Sequence, residues 1–281
     1  MKKILEYSVL MSVYRKDNPT WLKTSIDSML NQTIKTNDFV LIEDGELEKE
    51  LEEVILEYEK KYSSIFHVVR NAENQGLGVV LAQGVLECKN DWIARMDSDD
   101  YAKEDRIEKQ LNIIEQFNED IDIVGSNIAE FIDNIDNVIS YRVLPKSDEE
   151  IKKFARRRNP FGHPSVMLKK ETVLKASNFR TYYLCEDYDM WIRMFQNNAK
   201  AYNIQECLVY MRINEDFYKR RGGIKYLRSI LKFKTEQLKN GFYGITDFII
   251  SSFASIVTCL MPNFIRDCIY KNFLRNRYNN D

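Results

Sequence analysis

The strongest constraint on the fold is an alternation of short apolar runs and longer amphipathic segments across the first 117 residues. Each apolar run is bounded by charged or turn-forming residues, and the runs recur roughly every 25 to 30 residues. Such an alternation is typical of βαβ units, in which helices join parallel strands and cover the sheet. We therefore predict an α/β fold with a mostly parallel sheet. The four predicted strands are YSVLMSVY (7–14), DFVLIED (38–44), SIFHVVRN (64–71) and DWIARMD (91–97).

Helix signals follow the predicted strands. Asn18 followed by Pro19 predicts a helix start, because asparagine caps helices and proline favours the first helical position. After about residue 120 the pattern is less regular, with strands predicted in IDIVGSNIAEFI and NVISYRVL and two short strands in KAYNIQECLVYMRI. Ser147 and Glu150 have the spacing of a capping box at the start of SDEEIKKFARRRN. EDYDMWIRMFQN is predicted to be helical, as is the chain from about residue 222.

Three carboxylates, Asp97, Asp99 and Asp100, stand at the end of the fourth predicted strand. In an extended segment residues two apart point the same way, so Asp97 and Asp99 are expected to converge. Two carboxylates without an obvious basic partner repel each other unless a hard cation such as Mg²⁺ or Mn²⁺ lies between them. The alternative is a solvated loop whose acids cap the next helix, and for an isolated Asp-x-Asp pattern this alternative is the commoner one. Asp100 is predicted to be such a cap.

Several motifs in order resemble the family 2 glycosyltransferases with the GT-A fold, a Rossmann-like, mostly parallel sheet flanked by helices. They are SVLMSVYRKDNPTWLKTSIDSMLNQT, LIEDG, NAENQGLGVVLAQGV and ARMDSDD. Further on, HPSVM, CEDYDMWIRM and YKRRGG resemble members that act in capsule, exopolysaccharide and O-antigen synthesis, such as the amylovoran-type enzymes. The resemblance covers roughly residues 5 to 225. It implies transfer of a sugar from a nucleotide-sugar donor to a hydroxyl group.

The resemblance implies a nucleotide-binding surface at the ends of the first two strands. Its members would be Ser12, Val13 and Tyr14 against the base, Asp44 or Glu43 on the base or ribose, and Asn71, Gly76 and Gly78 in a loop around the nucleotide. The family's usual DDGS is EDGE here, so either acid is a candidate. Taken alone, Asp44 followed by glycine is equally typical of a turn, and glycines indicate only that the backbone can approach closely.

The resemblance also implies that Asp97 and Asp99 form the family's Asp-x-Asp pair, which binds Mn²⁺ or Mg²⁺ bridging the donor diphosphate. Asp99 is the preferred direct ligand, whereas Asp97 contacts the ribose or reaches the metal through water. His163, in NPFGHPSVM, would border the acceptor side and contact the metal, the diphosphate or the acceptor.

A second acidic cluster, in CEDYD, supplies the general base in similar enzymes. Inverting transfer needs a base that accepts the proton of the acceptor hydroxyl. The resemblance assigns this role to Asp187, with Glu186 as the second choice. The alternative is that these acids form the first turn of a helix, where the dipole favours them, and we prefer this alternative for Asp189. Arg220 and Arg221, in YKRRGG, would fold over the donor diphosphate or else belong to a charged linker.

Charge is divided unevenly along the chain. Residues 216–281 hold 12 Lys and Arg against 5 Asp and Glu, whereas the first 215 residues hold 29 against 38. An acidic body argues against nucleic acid as a partner, and a basic tail indicates an anionic one. IKYLRSILKFKTEQL (224–238) is basic and amphipathic, and residues 248–265 carry no formal charge. Since Pro262 and polar residues weaken a spanning helix, we predict an interfacial tail on the cytoplasmic membrane surface. A helical cap on the domain's own core is the alternative.

The five cysteines show no CxxC spacing, and Glu6 interrupts an apolar start that would otherwise resemble a signal peptide. We therefore predict a cytoplasmic enzyme peripheral to the inner face of the cell membrane, with a GT-A domain at 1–215 and a membrane-associating helical tail at 216–281. Its partners would be a nucleotide-sugar donor, by preference UDP-linked, and a lipid-linked oligosaccharide acceptor. A sugar nucleotidyltransferase and a non-catalytic nucleotide-sugar-binding subunit are the alternatives. The first would normally carry a glycine-rich loop after its first strand, which SVYRKDNPTW lacks.

Overall fold

The computed structural model describes residues 5–213 and 222–262, and the backbone of 276–277. Its described strands form one mixed sheet in the order β10-β7-β6-β8-β4-β1-β2-β3, with β9 beside β6 and β5 beside β9. The strands are β1 (Tyr7–Val13), β2 (Asp38–Glu43), β3 (Phe66–Arg70), β4 (Trp92–Asp97), β5 (Tyr101–Ala102), β6 (Ile123–Phe131), β7 (Val138–Arg142), β8 (Met167–Lys169), β9 (Ala201–Arg212) and β10 (Asn276–Arg277).

Helices cover both faces of the sheet. They are α1 (Pro19–Leu30), α2 (Lys49–Lys61), α3 (Leu77–Glu87), α4 (Arg106–Gln116), α5 (Asp148–Ala155), α6 (Lys170–Lys175), α7 (Glu186–Gln196), α8 (Gly223–Lys239) and α9 (Ile245–Leu260). A 3₁₀ turn at His163–Ser165 precedes β8.

The centre of the sheet is parallel, in the order β3-β2-β1-β4. β1 and β2 are buried along nearly their whole lengths, as expected of parallel strands with helices on both sides. Val9 and Leu41 pack toward α1, α2 and α4, whereas Leu10 and Ile42 pack toward α3, α5 and α7. The side chains of alternate residues therefore point to opposite faces of the sheet. The same alternation determines the face to which each polar side chain at a strand end points.

The other half of the sheet is mixed. β8 runs antiparallel to both β4 and β6, β7 runs antiparallel to β6, and β9 runs parallel to β6. Two short strands are predicted for KAYNIQECLVYMRI, but this prediction is wrong, because β9 is a single strand of 12 residues. Register shifts near Asn127 of β6 absorb the irregular stretch around Gln205 and Glu206, so pairing continues on both sides.

Both predicted helix starts are confirmed. The Asn18 side chain accepts hydrogen bonds from the backbone N–H groups of Thr20 (2.9 Å) and Trp21 (3.2 Å). At the start of α5, Ser147 and Glu150 form both bonds of a capping box. These signals are local in sequence, which explains why they could be predicted without knowledge of the fold.

The helical tail packs on the rest of the chain through α8. Ile230 and Phe233 join Tyr188 and Ile192 of α7 in a buried cluster. α8 therefore caps the domain, which is the alternative considered above for the tail. α9 instead leaves one apolar face exposed, made of Ile245, Ile249, Ile250, Phe253, Ile256, Val257 and Leu260. In the part of the chain that the structure describes, no helix is long and apolar enough to span a bilayer. The predicted domain boundary at residue 215 falls in the undescribed segment 214–221 and stays a prediction.

Candidate active site

The carboxyl ends of β1, β2 and β4 lie side by side, because the three strands are parallel and in register. Ser12 pairs with Asp97 of β4, and Val13 pairs with Glu43 of β2. The structure therefore brings together polar residues from three separate parts of the sequence. Ligands of open parallel sheets bind at this edge.

A pocket of about 450 Å³ opens beyond the carboxyl ends of β1, β2 and β3. Tyr14 and Asp44, both predicted for donor binding, line it together with Arg15 and Lys16, which sequence reasoning missed. The other lining residues are Gly45, Glu46, Ala72 and Asn74. Their position in the loop directly after β1 was the sequence feature that could have identified Arg15 and Lys16 as lining residues. Two cations beside an open pocket suit a ligand that carries phosphate groups.

Asp44 is held by the loop that follows β3. Its carboxylate accepts hydrogen bonds from the backbone N–H groups of Gln75 (2.6 Å) and Gly76 (3.1 Å) and from the amide of Asn74 (2.9 Å). Gly76 has a φ of +88°, a left-handed conformation that favours glycine. Asp44 thus fixes one wall of the pocket as well as lining it.

Glu43, the alternative acid, points to the opposite face of the sheet, toward α2. Its Oε1 lies 3.3 Å from Nε of Arg70, which also contacts Glu52 and Glu59. Burial, followed by the charge of Glu52, raises the pKa of Glu43 to about 7. Of the two acids, Asp44 is therefore the one on the pocket side.

Three further residues predicted for the donor site make framework contacts. Val13 is buried. The Asn71 amide donates to Oε1 of Gln83 (2.9 Å), which ties the end of β3 to α3. Gly78 packs so closely that an added Cβ would lie 2.3 Å from the carbonyl oxygen of Arg180. The group that approaches Gly78 closely is therefore the backbone of Arg180.

The segment 97–100, termed the acid loop, has a basic partner that the sequence did not reveal. Arg95 is almost fully buried in β4 and forms an ion pair with Asp97 through Nη2. The expectation that these carboxylates lack a cation is therefore wrong for Asp97, since residues 95 and 97 of one strand point the same way. Arg106 of α4 supports the pair, because its Nη2 donates to the carbonyl oxygen of Arg95 (2.8 Å).

Asp100 does not cap the following helix, and that prediction is wrong. Its buried carboxylate accepts a hydrogen bond from the backbone N–H of Arg212 at the end of β9 (2.8 Å). The Arg212 side chain donates to the carbonyl oxygen of Asp99 (3.0 Å) and lies over the rings of Trp21 and Phe131. Burial, followed by the charge of Asp99, raises the pKa of Asp100 well above its usual value. The chain continues from the acid loop into β5, so no helix begins near enough to be capped.

Asp17, in the loop after β1, is a carboxylate that sequence reasoning missed. Its Oδ2 accepts hydrogen bonds from the Ser98 hydroxyl (2.7 Å) and the Tyr14 backbone N–H (3.1 Å). Burial, together with the charges of Asp99 and Asp97, raises the pKa of Asp17 to about 7. The available signal was an acid in a loop at the ligand-binding edge of a parallel sheet.

The oxygen-rich groups at this edge fit a hard divalent cation. Carboxylate and hydroxyl oxygens are the ligands that Mg²⁺ and Mn²⁺ prefer, and one or two carboxylates often suffice when substrate phosphates complete the coordination. Oδ2 of Asp100 is buried without a hydrogen-bond partner among the described residues. Within residues 5–213 and 222–262, no group of three or more His, Cys, Asp and Glu side chains is arranged to hold a metal by itself.

His163 lies between the acid loop and the acids of α7. Its ring is 6.3 Å from that of Trp191, measured between centroids. Burial, followed by the charge of Arg95, lowers the pKa of His163 to about 4, while Asp187 and Asp97 act in the opposite direction. His163 is therefore neutral near pH 7. Its Nε2 is buried without a hydrogen-bond partner in the described part of the chain.

Glu186 and Asp187 form the first turn of α7, as the helical alternative also predicts. Oδ2 of Asp187 accepts a hydrogen bond from the Asn159 amide (2.6 Å), and its Oδ1 accepts one from the next backbone N–H (2.7 Å). Burial, followed by the charge of Asp187, raises the pKa of Glu186 to about 7. Asp189 is buried in an ion pair with Arg193 (2.7 Å), so it acts within the core. Arg220 and Arg221 lie outside the described residues.

The amino-acid sequence matches the model of a known protein family. The model described as "Glycosyl transferase family 2" matches residues 8–177, from β1 through α6. The chain belongs to glycosyl transferase family 2. It is a glycosyltransferase, and the nucleotidyltransferase alternative is thereby set aside.

Two curated relatives of this glycosyltransferase match nearly end to end. The Escherichia coli UDP-Gal:alpha-D-GlcNAc-diphosphoundecaprenol beta-1,3-galactosyltransferase is 34% identical over 270 residues, covering 96% of this chain and 97% of the relative. The amylovoran biosynthesis glycosyltransferase AmsE of Erwinia amylovora is 29% identical over 269 residues, covering 94% and 98%. The predicted resemblance to enzymes of exopolysaccharide and O-antigen synthesis is confirmed.

A solved structure confirms the predicted GT-A fold of this family 2 glycosyltransferase. The mannosyltransferase PcManGT from Pyrobaculum calidifontis, in complex with GDP-Man and Mn²⁺, has a TM-score of 0.62. It is 10% identical in sequence, and the match covers 92% of this chain and 70% of that one. The α/β sheet flanked by helices is therefore shared, with a mixed half added to its parallel centre.

Proposed function

We propose that this enzyme transfers a sugar, with inversion, from a UDP-sugar to a hydroxyl of a lipid-linked oligosaccharide in surface polysaccharide synthesis. The observation that carries the proposal is the link between the pocket and the acid loop: Asp17 accepts hydrogen bonds from the Ser98 hydroxyl and from the backbone N–H of Tyr14, which lines the pocket. The printed name of the E. coli relative supports the substrate classes, since it gives a UDP-sugar donor and a diphosphoundecaprenol-linked acceptor.

In this proposal the donor nucleotide occupies the 450 Å³ pocket. Ser12, Val13 and Tyr14 would contact the base, and Asp44 would bind the base or ribose. Arg15 and Lys16 supply cations near the phosphates, because both line the same pocket. Asn71, Gly76 and Gly78 would shape the loop around the nucleotide, and Arg220 and Arg221 would close over the diphosphate.

A divalent cation, Mn²⁺ or Mg²⁺, would be held by Asp99, with Asp97 and His163 as further candidate ligands. When bound, such a cation neutralises charge on the departing diphosphate. The ion pair between Arg95 and Asp97 supports Asp99 as the first ligand, because the Asp97 carboxylate already has a cation. Arg212 holds the backbone of the acid loop, so the Asp99 side chain would be presented from a fixed position.

Asp187 is proposed as the general base, with Glu186 as the second choice. A base must accept the acceptor hydroxyl's proton as the new glycosidic bond forms. The Asn159 amide and a backbone N–H orient the Asp187 carboxylate through bonds of 2.6 and 2.7 Å. Glu186, whose pKa is raised to about 7 by burial and by Asp187, has the proton affinity that a base near neutral pH needs.

The tail is proposed to rest on the inner face of the cell membrane. α9 exposes an apolar face, with Ile249 59% and Phe253 67% exposed. Lys225, Arg228 and Lys232 are exposed on neighbouring α8 and would contact anionic lipid headgroups. An apolar helix face beside basic residues is typical of interfacial helices, and membrane contact would bring the enzyme to a lipid-linked acceptor.

Calorimetry tests the donor site directly. UDP, GDP, TDP and CDP are titrated into the protein with and without Mn²⁺, using wild type and Asp99→Ala. We expect manganese-dependent binding of UDP, weakened at least tenfold in Asp99→Ala because a charge-assisted contact is lost. Asp136→Ala is the matched control, since Asp136 is exposed in the turn between β6 and β7.

Each result bears on a separate part of the proposal. Preference for another nucleotide would replace the uridine assignment and keep the site. Equal weakening in Asp136→Ala would mean that net charge, and not the acid loop, controls binding. Absence of binding for all four nucleotides, with and without metal, would refute the donor site.

A further inference from the structure

The loop that follows α5, residues 156–159 and here termed the arginine loop, contains three consecutive exposed arginines. Its last residue, Asn159, is fixed at the proposed base, because its amide donates to Asp187 (2.6 Å). The carbonyl oxygen of Asn159 in turn accepts a hydrogen bond from Nη2 of Arg142 (2.8 Å). A strongly basic segment is therefore anchored beside the acceptor side of the site.

The arginine loop carries more positive charge than is needed to interact with the carbonyl groups at the C-terminal end of α5. Carbonyl groups at a helix C-terminus attract cations, and α5 already has Lys152 and Lys153 in its last turn. Arg156 makes no ion pair with a described residue, whereas Arg158 lies over the ring of Phe154 at 5.2 Å. A run of three exposed guanidinium groups is suited to an anionic ligand.

One sugar unit fits within the reach of these arginines from the base. Bond lengths limit the separation between Oδ2 of Asp187 and the Cα of Arg158 to about 10 Å, and an arginine side chain reaches about 7 Å. A pyranose ring built from ~1.5 Å bonds separates an attacking hydroxyl from the anomeric oxygen by about 5 Å. A phosphate on that oxygen would therefore lie within reach of the Arg158 guanidinium when the hydroxyl is at Asp187.

The same loop is joined to the proposed membrane-facing helix. Nε of Arg157 lies 2.8 Å from Oδ1 of Asp247 in the first turn of α9. The exposed apolar face of α9 begins in this turn, at Ile245, and continues along the helix to Leu260. Base, basic loop and apolar face thus follow one another in the order of an acceptor's sugar, diphosphate and lipid.

We infer that the arginine loop binds the diphosphate of a prenyl-diphosphate-linked acceptor, with Arg156 and Arg158 as its phosphate ligands. Guanidinium groups match phosphate oxygens in geometry and keep their charge at all relevant pH values. The inference rests on the proposed function, because it assumes that the acceptor hydroxyl lies at Asp187.

Farnesyl diphosphate is the probe, because it carries a prenyl diphosphate without a sugar. It is titrated calorimetrically into the full chain in the presence of UDP and Mn²⁺. We expect the double variant R156Q/R158Q to weaken its binding at least tenfold. The matched control is K60Q/K61Q, which removes the same charge from exposed residues at the end of α2. Thermal unfolding verifies that both variants are folded, and farnesol, without the diphosphate, is expected to bind both equally.

Three outcomes would overturn the inference. Equal farnesyl diphosphate affinity in R156Q/R158Q and wild type would show that the loop does not bind it. Loss of binding in Asp99→Ala with full binding in R156Q/R158Q would assign the diphosphate to the acid loop. Loss of binding to phosphatidylglycerol vesicles in R156Q/R158Q, with unchanged farnesyl diphosphate affinity, would assign the loop to lipid headgroups. Failure of the proposed donor function would appear separately, as absence of nucleotide binding in the wild type.

Discussion

At the residue scale, Glu186 and Asp187 show how adjacent carboxylates acquire different properties. Two hydrogen bonds orient the Asp187 carboxylate, whereas burial and the neighbouring charge raise the pKa of Glu186 to about 7. Buried acids with a raised pKa are typical of active sites. Hydrogen bonds therefore act on the proposed base Asp187, whereas burial acts on Glu186, and mutation can separate the two effects.

The first prediction concerns the pH dependence of kcat/KM. A raised pKa keeps Glu186 protonated below about pH 7, so activity is expected to rise as pH increases through 7. Asp187→Asn is expected to lower kcat by about 10²–10⁴-fold, the range for loss of a general base. Glu186→Gln is expected to lower kcat less and to remove the rise near pH 7. Steady-state release of the nucleoside diphosphate measures both.

The opposite ranking of the two variants would reverse the assignment of the base. Persistence of the rise near pH 7 in Glu186→Gln would mean that another group titrates there. Asp17 would be the first candidate, since burial and the acid loop raise its pKa to about 7 as well.

The sequence indicates candidate site residues that belong to short motifs and misses those that are revealed only by burial or by strand pairing. Asp99 and Asp187 belong to the short motifs ARMDSDD and CEDYDMWIRM. Arg95 looks like an ordinary strand residue until the structure shows that it is buried against Asp97. Arg212 contacts the acid loop only because β9 is in register with β6 and β5, and register is not readable from either strand alone.

At the element scale, α3 shows why a glycine can stand inside a helix. The helix was predictable from its apolar pattern even though Gly84 is unfavourable there by about 1 kcal/mol relative to alanine. An added Cβ at Gly84 would lie 2.2 Å from Cδ1 of Leu10 and 3.1 Å from Cγ1 of Ile42. The missing side chain therefore lets α3 lie directly on β1 and β2, which keeps the loop of Gly76 beside Asp44.

The second prediction is that Gly84→Ala destabilises the protein. Overpacking costs about 1–3 kcal/mol, which exceeds the gain of about 1 kcal/mol in helix propensity. We expect the free energy of unfolding to fall by about 1 kcal/mol, measured by urea denaturation. Leu10→Ala alone is expected to cost about 2–5 kcal/mol through the cavity that it leaves.

The double variant Gly84→Ala/Leu10→Ala is the control for this mechanism. It is expected to cost less than the sum of the single variants, because the new methyl group enters the space that Leu10 vacates. Strict additivity would mean that the contact between α3 and β1 does not explain the glycine.

The elements whose signals are local were predicted well, and those set by pairing were not. The capping box of α5 and the Asn18 cap of α1 depend on residues within three positions of each other. β9 was predicted as two strands because Gln205 and Glu206 interrupt its apolar pattern. It continues because β6 supplies partners on both sides of the interruption, which no local pattern can indicate.

At the scale of the whole molecule, the two tail helices differ in their surroundings, although the sequence predicts a single interfacial tail. α8 buries Ile230 and Phe233 against α7, whereas α9 leaves its apolar face exposed. Lys234 lies buried between the two helices, where its ammonium donates to the Ser255 hydroxyl (2.7 Å). Burial lowers the pKa of Lys234 to about 8. The hairpin therefore packs on the domain chiefly through α8, while α9 keeps its apolar face exposed.

The third prediction is that the α9 face controls membrane binding. Ile249→Ser/Phe253→Ser is expected to reduce binding to mixed phosphatidylglycerol and phosphatidylcholine vesicles at least tenfold. Burying each such side chain in the bilayer contributes up to about 1.5–3 kcal/mol. Co-sedimentation with vesicles measures the effect.

The matched control for the vesicle experiment is Leu56→Ser/Leu86→Ser, which alters two exposed apolar residues on α2 and α3. This control is expected to bind vesicles as wild type does. Equal loss in both double variants would mean that general surface hydrophobicity, and not α9, governs binding.

The bond between Arg212 and Asp100 joins residues 112 positions apart, and this separation has a consequence for synthesis. A ribosome makes the chain from the N-terminus, so the acid loop emerges long before β9 exists. Until β9 enters between β6 and β5, the hydrogen bonds from Arg212 to Asp99 and Asp100 cannot form. A half-made chain therefore contains the acid loop without the two hydrogen bonds that Arg212 donates to it. The proposed donor site is therefore completed late in translation, when most of the α/β sheet is already in place.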